Sequence, residues 1–352
     1  MTKKMKILII QRDNIGDLIL TTPLISSLSR TLGGKVDLLV NTYNQPVLEN
    51  NPHVGKIHPY SKLHHRPPGS SLFSFLIQRI SSYLNVRNAG YDVAIIARAD
   101  WSDRSMKWAR LSGAKRIIAI GNNNIPPEVS DPVTLSGEQC HIVELFSRLA
   151  APLGGTEPPA GLELYPTREE IRIMRERLPV SDELPVFGIQ ISSRKPAQRW
   201  QAEKFIQLMH EIASQQPCQF LLFWSPGAAD NKSHPGDDDK ARQIIEACQD
   251  IALIPAQTRN LRELIAGMSL CQQILTSDGG ALHVAAGVKV PTVALFGNSD
   301  AWFWGPWKVP SEILEAPGQD VSRLEVEVVV EHFMQLRQRV VAAEQAAVVA
   351  ES

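Results

Sequence analysis

Between residues 274 and 297 the chain reads ILTSDGGALHVAAGVKVPTVALFG, and no other stretch narrows the choice of fold as much. A short apolar run, Ile274-Leu275, ends in the polar turn Thr276-Ser277-Asp278-Gly279-Gly280. A helix-compatible segment over 281–286 follows, closed by Gly287, and a second apolar run over 291–296 stops at Gly297. A buried strand, a short helix and a second buried strand in that order predict parallel pairing. Paired glycines before a helix permit a tight turn and leave the first backbone N–H groups uncovered, where the helix dipole adds partial positive charge. That combination is a seat for an anion, most often phosphate. His283 falls in the first turn of this helix and Asp278 at its mouth, so both can face what the glycines admit. A purely structural alternative has Asp278 capping the helix and His283 packed in the interior.

The same alternation runs through the rest of the chain. Strands are predicted over 6–10, 36–40, around Ile57, over 92–97 and 116–120, with helices over 18–28, 72–86, 104–111 and 141–150. The segment APLGGTEPPAG over 151–161 is rich in Pro and Gly, and a charged helical stretch over 167–178 follows. The pattern then restarts with strands over 186–191, 219–224 and 251–253 and helices over 202–214, 240–247 and 261–268. This predicts an α/β protein with two doubly wound domains, 1–165 and 166–352, and a cleft between them. Ligands of open α/β sheets bind outside the carboxyl ends of the strands. Ser322 and Glu325 have capping-box spacing ahead of an apolar stripe at Val329, Phe333, Leu336 and Val340. That last helix suits either domain, and residues 342–352 are expected to fray.

At 352 residues the chain is long for one core and comfortable for two. With 43% hydrophobic and 21% charged residues, it is neither a disordered nor a fibrous sequence. The apolar run at 5–10 is cut short by Gln11, Arg12 and Asp13, too little for a signal-peptide core. The four cysteines are scattered without CxxC spacing, which suits thiols in a reducing compartment, and a cytoplasmic location is expected. Net charge is close to zero, yet residues 1–165 carry 18 basic against 13 acidic residues and the remainder 18 against 24. No acidic residue lies between Glu49 and Asp92, where Lys56, Lys62, Arg66, Arg79 and Arg87 occur with four histidines. Such a segment suits an anionic partner, its alternative being a solvated face.

Four polar loops carry the candidate chemistry, and each follows a predicted strand. Arg12-Asp13-Asn14-Ile15-Gly16-Asp17, with Thr22-Pro23 beyond, follows the first strand. There the dinucleotide fingerprint G-x-G-x-x-G is missing, which argues against a dehydrogenase-like Rossmann protein. Ser192-Ser193-Arg194-Lys195-Pro196-Ala197-Gln198-Arg199-Trp200 follows the strand over 186–191. Trp224-Ser225-Pro226-Gly227 comes third, and the Asp278-Gly279-Gly280-x-x-His283 turn with Pro291 to Gly297 comes fourth. Together, in this order, they resemble the motifs of glycosyltransferase family 9, the heptosyltransferases of bacterial lipopolysaccharide assembly.

That resemblance implies a GT-B fold and an inverting, metal-independent transfer of heptose, most simply from ADP-heptose, to a lipid-linked saccharide of the lipopolysaccharide core. Another nucleotide sugar in the same fold is the alternative. By resemblance Asp17, directly after the glycine, is the catalytic base. A carboxylate in that role must face the acceptor hydroxyl with its pKa raised yet be ionised at neutral pH; an Asp merely favoured by a helix start is the plain reading. Donor binding falls by resemblance on Ser192, Ser193, Arg194, Lys195, Arg199, Trp224, Asp278, Gly279, Gly280 and His283, and acceptor binding on Arg12, Asn14, Lys62 and Arg66. The chain departs from the family where a lysine precedes the tryptophan by two: Gln198 stands there. The cation facing the leaving diphosphate then has to come from Arg199, Lys195 or Arg194. The acidic residue expected near the ribose has no single counterpart in Asp230-Asn231-Lys232-Ser233-His234-Pro235-Gly236-Asp237-Asp238-Asp239, a run read as a solvated loop more readily than as a metal site. Trp302, Phe303, Trp304 and Trp307 suit either stacking on a sugar or packing. No cofactor, metal or nucleic acid is expected; the expected partners are a nucleotide sugar, an anionic lipid-linked acceptor and, peripherally, the inner membrane, with the chain acting as a monomer.

Overall fold

The computed structural model describes residues 5–60, 72–121, 125–134, 139–228, 230 and 236–351. The chain divides into two compact units, 1–163 and 164–352.

The first unit runs β1 (Ile7–Ile10), α1 (Ile15–Leu20), α2 (Thr22–Leu32), β2 (Val36–Asn41), β3 (Val54–Tyr60), α3 (Leu72–Asn88), β4 (Val93–Ile96), α4 (Asp103–Ser112), β5 (Arg116–Ile120), β6 (Asp131–Val133) and α5 (Ile142–Ser147). Its sheet has the order β3-β2-β1-β4-β5-β6, parallel throughout. The central strands β1 and β4 are buried along their whole length, as continuous apolar runs in a two-sided parallel sheet must be. The helix expected over 18–28 is two helices broken at Thr21. Pro23 has no N–H to continue the ladder but fits the first turn of a new helix. Two hydroxyls take up carbonyls at the break: Thr21 Oγ1 donates to the Asp17 carbonyl (2.7 Å) and Thr22 Oγ1 to that of Ile19 (2.7 Å).

The second unit runs α6 (Arg168–Arg177), β7 (Val186–Gln190), α7 (Ala202–Gln215), β8 (Gln219–Phe223), α8 (Asp238–Ala247), β9 (Leu253–Pro255), α9 (Leu261–Met268), β10 (Gln273–Ser277), α10 (Gly280–Gly287), β11 (Thr292–Phe296), α11 (Ala301–Trp304), β12 (Ser311–Glu315) and α12 (Val326–Glu351). Its order, β12-β11-β10-β7-β8-β9, is again all parallel and repeats the first sheet's 3-2-1-4-5-6 winding. The switch point, where winding reverses, lies between β1 and β4 in one unit and between β7 and β10 in the other. The edge strands β6 and β12 escaped the sequence pattern because β6 has three residues, none fully buried, and β12 buries only Leu314 of its five. The strand expected over 251–253 lies two residues later, at β9.

α12 belongs to the second unit. Val329, Phe333, Leu336 and Val340 are buried in its core, with the Phe333 ring 5.1 Å from that of Phe187. Ser322 does not open this helix as expected. It sits in a separate turn, where its N–H donates to Asp320 Oδ1 (3.0 Å), and α12 starts at Val326. Residues 342–351 continue the helix instead of fraying, in keeping with their content of Ala and Glu, both strong helix formers.

At the base of the second unit Arg262 joins α9 to α6, donating to both carboxylate oxygens of Glu170 (2.8 and 2.6 Å) and to the Tyr165 carbonyl (2.8 Å). Hydrogen bonding from Arg262 holds the Glu170 carboxyl down to about 2 from an ordinary 4.5. A depressed carboxyl contributes stability that is complete above its unfolded value and is lost as pH falls through the folded one. Wild type is therefore expected to exceed Glu170→Gln in stability near neutral pH by on the order of 2 kcal/mol. Urea unfolding across acid pH should show that gap closing between pH 4.5 and about 2.

Candidate active site

Each switch point carries one of the polar loops. In the first unit, β1 delivers residues 11–14 into the start of α1, and Asp17 occupies that helix's third position. Asp17 Oδ2 accepts from the Asn14 backbone N–H (2.8 Å) and side-chain amide (3.1 Å). Burial nevertheless outweighs these bonds and the nearby Arg98 charge, so the carboxyl titrates above its usual range. A carboxylate simply stabilised by a helix start would shift the other way.

The loop is held by polar side chains that sequence reasoning did not single out. Gln11 donates to the Ala97 carbonyl (2.7 Å) at the end of β4 and accepts from the Asp13 N–H (3.0 Å). From the end of β2, Asn41 (2.9 Å), Tyr43 (2.9 Å) and Asn44 (3.2 Å) all donate to the Asp13 carbonyl, and Asn41 also to that of Arg12. Asp13 pairs with Arg98, the residue following Ala97. The only sequence signal for this clamp is three polar residues clustered just where β2 stops. Of the residues assigned to acceptor binding, Asn14 is exposed and Arg12 is buried, its guanidinium 4.4 Å from the Tyr60 ring centroid. Burial pulls the Arg12 pKa down. Lys62 and Arg66 lie outside the described residues.

In the second unit, Ser192 and Ser193 follow β7, and Gly279 and Gly280 follow β10, its neighbour. Gly279 has φ +156°, a conformation only glycine adopts freely, and no side chain caps α10. Gly279 and Gly280 are exposed, so the uncovered amides of this helix start face solvent. Asp278 is not the cap: its carboxylate accepts from Ser299 (2.7 Å) and from Gln198 (3.4 Å). His283 is buried.

Gln198, at the position of the family's lysine, is fully buried. Its amide N–H group donates to Ser299 as well as Asp278, and its carbonyl accepts from the Gly297 N–H (2.8 Å). One neutral side chain thus ties the turn at 196–198 to the loops after β10 and β11. The approach is close enough that a Cβ on Gly297 would lie 2.1 Å from the Ala197 carbonyl oxygen. Of the three candidate cations, Arg199 is committed, donating to the Ser193 carbonyl (2.7 Å) and pairing with buried Asp237 (3.3 Å). Arg194 and Lys195 are exposed. A fourth cation went unnoticed in the sequence. Lys240 donates to the carbonyls of Ile191 (2.9 Å) and Trp200 (2.6 Å), fastening both ends of the serine loop, and burial pushes its pKa down to about 8.

Ser192 Oγ accepts from the Ser225 N–H (2.8 Å), linking the loop to the one after β8. Trp224 Nε1 donates to Asp238 (2.8 Å), which also accepts from the Gly227 N–H (2.9 Å). Asp237 and Asp238 of the acidic run thus serve local structure, while residues 231–235 lie outside the described residues. Among the described residues no group of three His, Cys, Asp or Glu side chains is placed to hold a metal. Trp302 is 63% exposed, whereas Trp304 packs beside buried Leu282 and Phe296 and stacks edge-on with Phe303 at 4.8 Å.

Two Rossmann-type sheets in one chain, each with its polar loops at the switch point, make this a two-domain enzyme fold of the GT-B glycosyltransferase class. Solved structures of that class superpose closely. The Escherichia coli ADP-heptose lps heptosyltransferase II covers 97% of this chain and 100% of its own at a TM-score of 0.76 and 21% identity. An E. coli heptosyltransferase solved with ADP gives 0.76 at 16% identity, covering 94% and 100%. In sequence, the lipopolysaccharide heptosyltransferase 3 of E. coli strain K12 is 27% identical over 310 residues, 83% of this chain and 82% of the relative. The chain belongs to glycosyltransferase family 9 (heptosyltransferase), whose model matches residues 129–331, more than half of the sequence.

Gln198→Leu would leave the Gly297 N–H and the Asp278 carboxylate short of a partner at a tightly packed junction. The expected cost is about 1–3 kcal/mol, measured as a lower urea midpoint of the full chain. Gln198→Glu, which cannot donate to Asp278 and adds a like charge, should be no better tolerated.

Proposed function

We propose that this glycosyltransferase transfers heptose, with inversion, from ADP-heptose to a lipopolysaccharide inner-core acceptor, without a metal or other cofactor. The observation that carries the reading is Asp17: a desolvated carboxylate at a switch point, held in one orientation by two Asn14 donors and titrating above its ordinary range. Those are the properties of a base that must be ionised at neutral pH and still take a proton. Asp17 removes the proton of an acceptor hydroxyl. The freed oxygen forms a bond to the anomeric carbon from the face opposite the nucleotide, and the bond from that carbon to the diphosphate oxygen breaks, its electron pair leaving with ADP.

The departing diphosphate gains negative charge, which preorganised donors must meet. The exposed amides at the start of α10 after Gly279, the hydroxyls of Ser192 and Ser193, and the side chains of Arg194 and Lys195 supply them, and His283 lies within the first turn of the same helix. Arg199 acts here through the loop it holds, and Trp224 borders the nucleoside. Support for the nucleotide comes from the structural relative solved with ADP, and for the acceptor from the names of the lipopolysaccharide heptosyltransferases. Arg12 and Asn14, with Lys62 and Arg66, meet the anionic acceptor. The protein works as a monomer in the cytoplasm, touching the inner membrane from that side; no helix among the described residues is long and apolar enough to cross one.

Asp17→Asn should leave ADP binding by calorimetry unchanged and lower turnover by a factor of about 100 or more; near-normal turnover would remove Asp17 from the role of base. Because ionised Asp17 is the active form and its pKa is raised, kcat/KM is expected to fall with acid along a limb centred above the usual carboxylate range. In a binding panel of ADP-heptose, UDP- and GDP-sugars and NAD, preference for anything but the ADP-sugar would overturn the donor assignment.

A further inference from the structure

The outer face of α3 presents a patch that the transfer chemistry does not use. Ile80, Tyr83 and Leu84 are 57%, 53% and 52% exposed, and with Arg87 they follow the i, i+3, i+4, i+7 spacing of a single helix face. The opposite face is spoken for: Val86 is in the core, and buried Ser82 donates to the Pro59 carbonyl (2.7 Å). Tyr83 leans on Trp108 of α4, ring centroids 6.3 Å apart, so its ring is backed by a packed residue while half of it faces water. Three large apolar side chains side by side on a helix are a contact surface in search of a counterpart.

The surrounding charge says which kind. Arg79 borders the face, its guanidinium 5.6 Å from the Tyr60 ring, Arg87 lies within it, and Lys56 sits alongside with its ammonium donating to Asn85 (3.3 Å). None of the three forms an ion pair among the described residues, and the chain has no acidic residue between Glu49 and Asp92 to offset them. An apolar strip with a tyrosine, bordered by unpaired cations, is the pattern of a helix that lies in the headgroup region of an anionic bilayer. The basic groups are drawn to the lipid phosphates and the aliphatic side chains enter the acyl boundary.

We propose that α3 docks the first unit on an anionic bilayer through Ile80, Tyr83, Leu84 and Arg87, with Lys56 and Arg79 on its flanks. The inference deepens the peripheral contact named above and rests on that part of the reading; it does not depend on which sugar is transferred. Docking here would hold the first unit, which carries Asp17, at the surface where a lipid-linked acceptor is embedded.

The test is co-sedimentation of the full-length protein with vesicles of phosphatidylglycerol and phosphatidylcholine, against vesicles of phosphatidylcholine alone, with no donor present. Binding only to the anionic vesicles is expected, weakening with added salt and falling about tenfold in Ile80→Glu/Leu84→Glu. The milder Ile80→Ser/Leu84→Ser guards against a folding defect, each variant being checked by its melting temperature. Absence of binding to anionic vesicles, or binding indifferent to both variants, overturns the proposal. So does a dimer in gel filtration that the variants dissolve, which would make the face a contact between copies. Transfer to a detergent-solubilised acceptor, measured in parallel, should be unchanged in the variants. A failure of the donor assignment would appear in that assay alone and leave the vesicle result standing.

Discussion

A parallel sheet covered on both faces satisfies its backbone everywhere except at the strand ends, and everything chemical in this protein follows from that constraint. Within the sheets, N–H and C=O groups are paired and the side chains are apolar, so no reacting group has room there. At the carboxyl ends the chain must turn, helix amides point outward, and where the winding order reverses two neighbouring loops part and leave a crevice. Each unit uses that place once: the loop bearing Asp17 after β1 beside the end of β4, and the serine loop after β7 beside the glycine turn after β10.

The two sites solve opposite electrostatic problems. Asp17 sits where water is thin, and the cost of its charge there raises its pKa above the ordinary carboxylate range. Its neighbours orient it, since two donors from Asn14 fix one oxygen and four buried or half-buried side chains immobilise the loop. The second unit instead collects donors. Gly279, through its backbone conformation, leaves helix amides uncovered, and Lys240 and Arg199 are spent on holding the serine loop in shape instead of projecting from it. Gln198 belongs to this framework as well. Where the motif resemblance implies a lysine, this chain has a neutral amide that both donates and accepts, joining three loops at once. The cations of this loop left exposed are Arg194 and Lys195.

Much of this was legible in the linear chain. The alternation of short apolar runs with amphipathic stretches predicted two α/β halves, and the order of the four polar loops carried the family resemblance. Elements with weak periodicity were lost: β6 and β12 are edge strands with little apolar content, and the break at Thr21 hides inside a continuous helical stripe that only Pro23 interrupts. The polar clamps around the loops were invisible for a different reason. Asn41, Gln198 and Lys240 look like surface residues by type, and a buried amide or ammonium is recognisable only once its partners, tens of residues away in sequence, are in place.

What the sequence alone determined is therefore what depends on near neighbours: where strands end, where a glycine frees a helix start, and which residue types stand in the loops between them. Tertiary structure decided the rest. Whether the Asp17 carboxyl is stabilised by a helix start or desolvated, which of four cations are spoken for, and whether Asp278 caps a helix or bridges two loops all turn on distances across the fold. Solvation and hydrogen bonding are set by what lies within a few ångströms in space, and that is information a linear order of residues does not contain until the sheets have closed over it.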